Sequence, residues 1–242
     1  MTAPARTRVA TGVLDNPAWA ALTGAHHDFG QRIGGAARYH PDVALFAALS
    51  GEPGPQPWHD LAALAGPGST FALTGDVGEP PAGWEVVWRD GGVQLVDTGV
   101  VPAADAEAVV LTAADVPEMI ELVERTRPGP FLPRTVELGT YLGIRRGGTL
   151  IAMAGERLRP PGWTEISAVC TDPGHRGQGL AGRLVRAVAA GIRARGETPF
   201  LHTAAGNTDA VRLYLRLGFE IRRATTFAVV RSPVVKLGEE LR

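Results

Sequence analysis

The segment Val169–Leu184, V-C-T-D-P-G-H-R-G-Q-G-L-A-G-R-L, constrains the fold more than any other stretch of the chain. A short apolar strand runs into Asp172-Pro173-Gly174. A basic, glycine-rich turn follows at Arg176-Gly177-Gln178-Gly179, and an amphipathic helix begins at Leu180. The repeat Leu180, Leu184, Ala187, Val188 and Ile192 has the spacing of one helix face. A helix entered this way leaves its first-turn N–H groups without intrahelical partners, and its dipole favours an anion there. The segment predicts a strand, a tight loop and a helix start that can hold a phosphate-bearing ligand.

The 242 residues suffice for one large domain or two small ones with a buried core. A net charge of -1 offers no electrostatic case for nucleic acid or an anionic membrane as partner. The single cysteine, Cys170, excludes a disulfide within the chain and fits a reduced, cytoplasmic setting. No apolar run approaches the ~18 residues that span a bilayer. Val9–Leu14 is too short and mixed for a signal-peptide core.

Composition divides the chain in two. Residues 1–105 hold most of the tryptophans and many Pro/Gly breaks, such as the loop Ser50–Pro57. Trp58–Leu64 reads as a short helix, Thr70–Thr74 and Trp84–Trp88 as strands, and Gly91-Gly92 as a hairpin turn into Val93–Val96. Residues 106–232 are more regular, and 233–242 form a tail. Val109–Leu111 is a strand, and Asp115 and Pro117 open a helix bearing Met119, Ile120, Leu122 and Val123. Gly147-Gly148 joins two strands, Thr164–Thr171 is a third, and the helix from Leu180 stops at Gly196. Phe200–Ala204 is a strand, Asn207–Leu217 a helix stopped by Gly218, and Thr225–Arg231 a last strand. The fold class is α/β in the α+β sense: a mixed, mostly antiparallel sheet flanked by helices, preceded by a smaller α+β region that could be a decayed copy of the same unit.

Two motifs carry the chemistry. Arg176-Gly177-Gln178-Gly179-Leu180-Ala181 matches Q/R-x-x-G-x-G/A, and Asn207, Ala210, Leu213, Tyr214, Leu217, Gly218 and Phe219 match N-x-x-A-x-x-L-Y-x-x-L-G-F. Through them, roughly Val109–Arg231 resembles the GNAT acetyltransferase superfamily, whose element order is the one just read. The resemblance implies acetyl-CoA as co-substrate. Its pyrophosphate would lie on Arg176, Gly177, Gln178, Gly179, Leu180, Ala181 and Gly182. Its pantetheine arm would pair with the strand Val169, Cys170 and Thr171 where that strand splays from Phe200–Ala204, and Asn207 would touch the cofactor. Tyr214 becomes the candidate acid for the departing thiolate. The implied activity is direct transfer of an acetyl group to a primary amine of a small molecule or peptide.

A base is needed for an ammonium substrate. Glu165 and Glu156, on neighbouring strands, are the candidates, with Glu165 favoured; two carboxylates there could raise one pKa towards neutrality. The bland alternative pairs them with Arg157 or Arg145. Cys170 alternates with Ala168 and Ile166 and reads as a buried structural thiol with no activating base. His175 lies beside the phosphate loop, while Arg183 and Arg186 could meet the ribose phosphate or face solvent. His26, His27 and His40 lack metal-ligand spacing. Thr126–Arg134, with Phe131, is expected to line the acceptor pocket, and residues 1–105 to cover the site or form a homodimer contact. Two rival readings remain. One is a non-catalytic acyl-CoA sensor. The other is an NAD-binding oxidoreductase suggested by Gly177-x-Gly179-x-x-Gly182, opposed by the residues between strand and glycines and by the lack of an acid after Phe200–Ala204.

Overall fold

The computed structural model describes residues 11–51, 54–75 and 78–234. Its centre is an eight-stranded sheet built from β4 (Thr70–Thr74), β5 (Glu85–Asp97), β6 (Val109–Leu111), β7 (Tyr141–Arg146), β8 (Thr149–Glu156), β9 (Trp163–Thr171), β10 (Thr198–Ala204) and β11 (Phe219–Arg231). The spatial order is β4-β11-β5-β10-β9-β8-β7-β6, and every pair is antiparallel except β9 with β10. That parallel pair needs a crossover, and the amphipathic helix α4 (Leu180–Ala194) supplies it.

Helices cover both faces. On one face α3 (Val116–Thr126) buries Val116, Met119 and Leu122 against Leu111, Tyr141, Met153 and Cys170. On the other, α4 buries Leu180, Leu184, Val185, Val188 and Ile192, and α5 (Thr208–Leu217) adds Tyr214 and Leu217, over Ile144, Ile151, Ile166 and Leu201. A second sheet of β1 (Gly30–Ile33), β2 (Ala36–Tyr39) and β3 (Ala47–Leu49) packs with α1 (Pro17–Leu22) and α2 (Pro55–Ala65). Its apolar side chains meet β4 and β11 at Phe71, Leu73, Ala228 and Val230.

Two expectations change. Gly91 and Gly92 do not turn the chain: β5 runs unbroken through them, bonded to β10 on one side and β11 on the other. Neither glycine has positive φ, and a Cβ on Gly92 would fall 2.3 Å from the Phe227 ring, so the glycine makes room for a side chain from the next strand. A boundary at residue 105 also cuts through the sheet, because β4 and β5 precede it and β5 stands between β10 and β11. The first half follows the order α-β-β-β-α-β-β, which differs from that of the second, β-α-β-β-β-α-β-α-β.

Candidate active site

The site begins where two strands part. β9 and β10 pair only at Trp163↔Thr198, Thr164↔Pro199 and Glu165↔Phe200. Beyond that root, Ile166–Thr171 keeps its partner β8 while Leu201–Ala204 keeps β5, and the strands form a fork. The Asp172 N–H reaches across to the Ile151 carbonyl at 2.7 Å. The Thr171 carbonyl points the other way and accepts from Arg176 Nε at 3.4 Å. One edge of β9 is thus open along the fork.

At the tip of β9, Asp172 caps a short 3-10 turn through the Gly174 N–H at 3.0 Å and accepts from Arg125 Nε at 3.1 Å. Gly177 (φ 79°) and Gly179 (φ 73°) then carry the chain through left-handed conformations that a side chain would strain. No side chain caps α4, whose first intrahelical bond runs from the Arg183 N–H to the Gly179 carbonyl at 3.1 Å. The N–H groups of Leu180, Ala181 and Gly182 precede that bond and face the same end, the geometry of an anion cradle.

This cradle opens into a cavity of about 680 Å³ that also borders Thr126, Val169, Cys170, Thr171, Asn207 and Tyr214. Asn207 caps α5, its Oδ1 accepting from the Ala210 N–H at 3.2 Å, which leaves its amide nitrogen for the cavity. Tyr214 lies two turns further along and packs edge-on to Phe219 with ring centroids 6.1 Å apart. Burial, and then the neighbouring Cys170, push the Tyr214 phenol up to about 12. It is a neutral hydroxyl at any ordinary pH and so a proton donor.

Glu165 is placed elsewhere. It is wholly buried at the root of the fork, where the Arg157 guanidinium donates to both its oxygens at 2.9 Å and His202 Nδ1 lies 2.8 Å away. Burial by itself would raise its pKa, but Arg157 and His202 outweigh that and hold the carboxyl well below the usual range. It does not line the cavity. A carboxylate so held is a poor base, and the arrangement opposes the role expected for it. Glu156 turns to Arg195 at 2.9 Å rather than to Glu165.

The cluster extends to residues the sequence reading passed over. The Gln94 Oε1 accepts from Arg222 at 2.7 Å, so its amide nitrogen donates to the Leu14 carbonyl at 2.8 Å and to His202 Nε2 at 3.0 Å. His202 Nε2 must then accept, and Nδ1 carries the proton donated to Glu165. The signal was a histidine following Phe200 and Leu201 in an otherwise apolar strand.

Other expectations sort by geometry. Cys170 is buried and its thiol pushed up to about 11, chiefly by burial. It does not share a face with Ile166, because β9 places Ala168 and Val169 opposite the single residue Ala154. Ala168 takes φ 52° at this bulge, so Ile166 packs under α4 and Cys170 under α3. Arg183 is bound to Asp105 and Glu107 at 2.6 Å, and Arg186 lies outside the cavity. His175 borders the cavity, its Nδ1 buried 3.7 Å from Asp172. Phe131 is buried edge-on to Tyr141, and only Thr126, Arg127 and Pro128 of that loop reach the cavity. The rest is pinned to the first half by the Arg134 N–H to the Asp42 carbonyl and Thr135 Oγ1 to the Val43 carbonyl. Among the described residues there is no cluster suited to a metal ion and no helix long and apolar enough to cross a membrane.

Known proteins are similar to this chain in sequence and fold. The profile of the FR47-like protein family matches residues 141–228. The N-alpha-acetyltransferase RimI of Mycobacterium tuberculosis is 35% identical over 131 residues, 48% of this chain and 82% of that protein. A crystal structure from Novosphingobium aromaticivorans assigned to the GNAT acetyltransferase family is 41% identical, with a TM-score of 0.83, covering 90% of this chain and 97% of that one. The chain belongs to the GNAT acetyltransferase family. A GCN5-related N-acetyltransferase from Kribbella flavida, 22% identical, shares the fold over 94% of this chain and 98% of its own at a TM-score of 0.59. In the two solved structures the similarity reaches well into the first hundred residues, so this GNAT chain shares its long N-terminal part with other family structures, while the RimI match spans about half of it.

Proposed function

We propose that the protein is an N-acetyltransferase that moves the acetyl group of acetyl-CoA directly to a primary amine of a small molecule or peptide. The observation that carries this reading is the single cavity wall on which the start of α4, the open edge of β9 and the Tyr214 phenol meet. The pyrophosphate would accept from the backbone N–H groups of Gly177–Gly182, and the pantetheine amides would extend the sheet along Val169–Thr171. The Asn207 amide would touch the same cofactor. The amine nitrogen attacks the thioester carbonyl carbon, forming the C–N bond as the C–S bond breaks. Tyr214 gives its proton to the sulfur, and the proton lost by the amine returns through water in the open cavity to the Tyr214 phenolate. Glu165 instead holds the strands that aim the thioester. The RimI relative is named for acetylation of an α-amine, which brings peptide N-termini into the acceptor class to be tested.

Thiol release from acetyl-CoA, followed across a panel of small amines and peptides with free N-termini, tests the reading. Release with at least one amine, abolished by omitting it, is expected. Tight acetyl-CoA binding with no release across the panel would replace the enzyme with a cofactor sensor.

A further inference from the structure

The cavity holds more positive charge than the backbone cradle needs. Arg127, Arg176, Arg212 and Arg216 border it, against one carboxylate, Asp209. Most arginines of the protein are spent on partners: Arg157, Arg183, Arg193 and Arg195 on buried or half-buried carboxylates, and Arg222 and Arg223 on Asp15. Among the described residues Arg216 makes no side-chain hydrogen bond, ion pair or ring contact. Arg212 touches only Asp209, at 3.5 Å, in a pair 69% and 94% exposed. Such a pair is worth little and is readily redirected.

Arg212 and Arg216 are four residues apart on α5, so their side chains leave the same face of the helix. Both line the cavity, on the wall that carries Asn207 and Tyr214. Coenzyme A has two anionic groups, the pyrophosphate and the phosphomonoester on the ribose 3′ oxygen. The α4 start suits the first. Two guanidinium groups one turn apart suit the second, a dianion with three acceptor oxygens. The α4 arginines considered from sequence do not compete: Arg183 is tied to Asp105 and Glu107, and Arg186 lies off the cavity.

We propose that Arg212 and Arg216 form a subsite for the 3′-phosphomonoester of coenzyme A, so that the protein selects the complete coenzyme over its 3′-dephospho form. This rests on the acetyl-CoA reading above. No bond is made or broken in it; the arginines act on affinity alone.

Calorimetric titration with CoA and with 3′-dephospho-CoA decides it. The unaltered protein should bind CoA about tenfold more tightly or better, the range of charge-assisted hydrogen bonds. Arg212→Gln/Arg216→Gln should bind both ligands alike, at the affinity the unaltered protein has for dephospho-CoA. Arg186→Gln removes the same charge from α4 outside the cavity and should keep the full preference. Equal affinity of the unaltered protein for the two ligands overturns the proposal. So does a double variant that weakens both ligands equally, or an Arg186→Gln variant that loses the preference as well. If neither ligand binds the unaltered protein, the acetyl-CoA reading itself fails. Thermal midpoints of all variants, measured without ligand, separate loss of fold from loss of binding.

Discussion

The two ends of the β9–β10 fork differ in nearly every physical respect. The root is closed and buried, with a carboxylate, a guanidinium, an imidazole and an amide that satisfy one another across β9, β10 and β5. The tip is open on one edge, bordered by glycines in left-handed conformations and by helix N–H groups without partners. Placing saturated polar groups at the root and unsatisfied ones at the tip localises binding. At the tip a ligand finds unmet hydrogen-bonding capacity where the strands have parted. Glu165 shows that a buried carboxylate acts according to its partners: this one is held by Arg157 and His202 and does not line the cavity.

Glu165→Gln removes the charge at the root of the fork. It leaves the Arg157 guanidinium buried without its counter-charge, which costs about 3–5 kcal/mol, read as a fall in the urea midpoint. A variant of undiminished stability with a displaced pH–rate profile would restore Glu165 as the base and erase the distinction between root and tip. The sign of the pH dependence follows from the lowered carboxyl. Its folded pKa lies below its unfolded value, so its stabilisation is present above about pH 4. It is lost as pH falls through the lower folded value. The unaltered protein should therefore lose stability on acidification more steeply than Glu165→Gln.

Tyr214→Phe removes a proton donor from the tip and should lower kcat by roughly 10²-fold, with acetyl-CoA affinity changed less than twofold. Equal turnover would leave the phenol a core side chain. Gly179→Ala comes next. Its Cβ would meet nothing within 4 Å, so the strain is that of φ 73°, about 1 kcal/mol. The larger effect should be on acetyl-CoA affinity, measured by titration, because the first turn of α4 shifts. Cys170→Ala should matter least for binding and turnover, costing about 1–2 kcal/mol of stability in the α3 core with activity retained; loss of turnover in a folded variant would point to a thiol nucleophile instead.

Much of this was legible in the chain itself. The elements from Val109 onward follow from periodicity and caps, since each needs only neighbours a few residues away: Gly177 and Gly179 at the loop, Asn207 on the Ala210 N–H, the apolar stripe of α4. In the first hundred residues the structure departs from local pattern where the outcome depends on a distant partner. Gly91-Gly92 has the local chemistry of a turn, yet β5 passes straight through because β10 and β11 bond it on both sides and the Phe227 ring occupies the space a side chain would need. Simple alternation puts Cys170 and Ile166 on one face, and the bulge at Ala168 breaks it.

The glycine loop, the helix start and the tyrosine spacing belong to the sequence, because a cradle for an anion is a local property of a helix and the turn that enters it. What Glu165 does, which arginines stay free, and where the long N-terminal part ends were decided only by the tertiary structure. Each depends on groups far apart in the chain, Arg157 and His202 around Glu165, Asp105 on Arg183, β5 between β10 and β11. A charge takes its function from the partners that folding brings to it, and those are set by packing rather than by spacing along the chain.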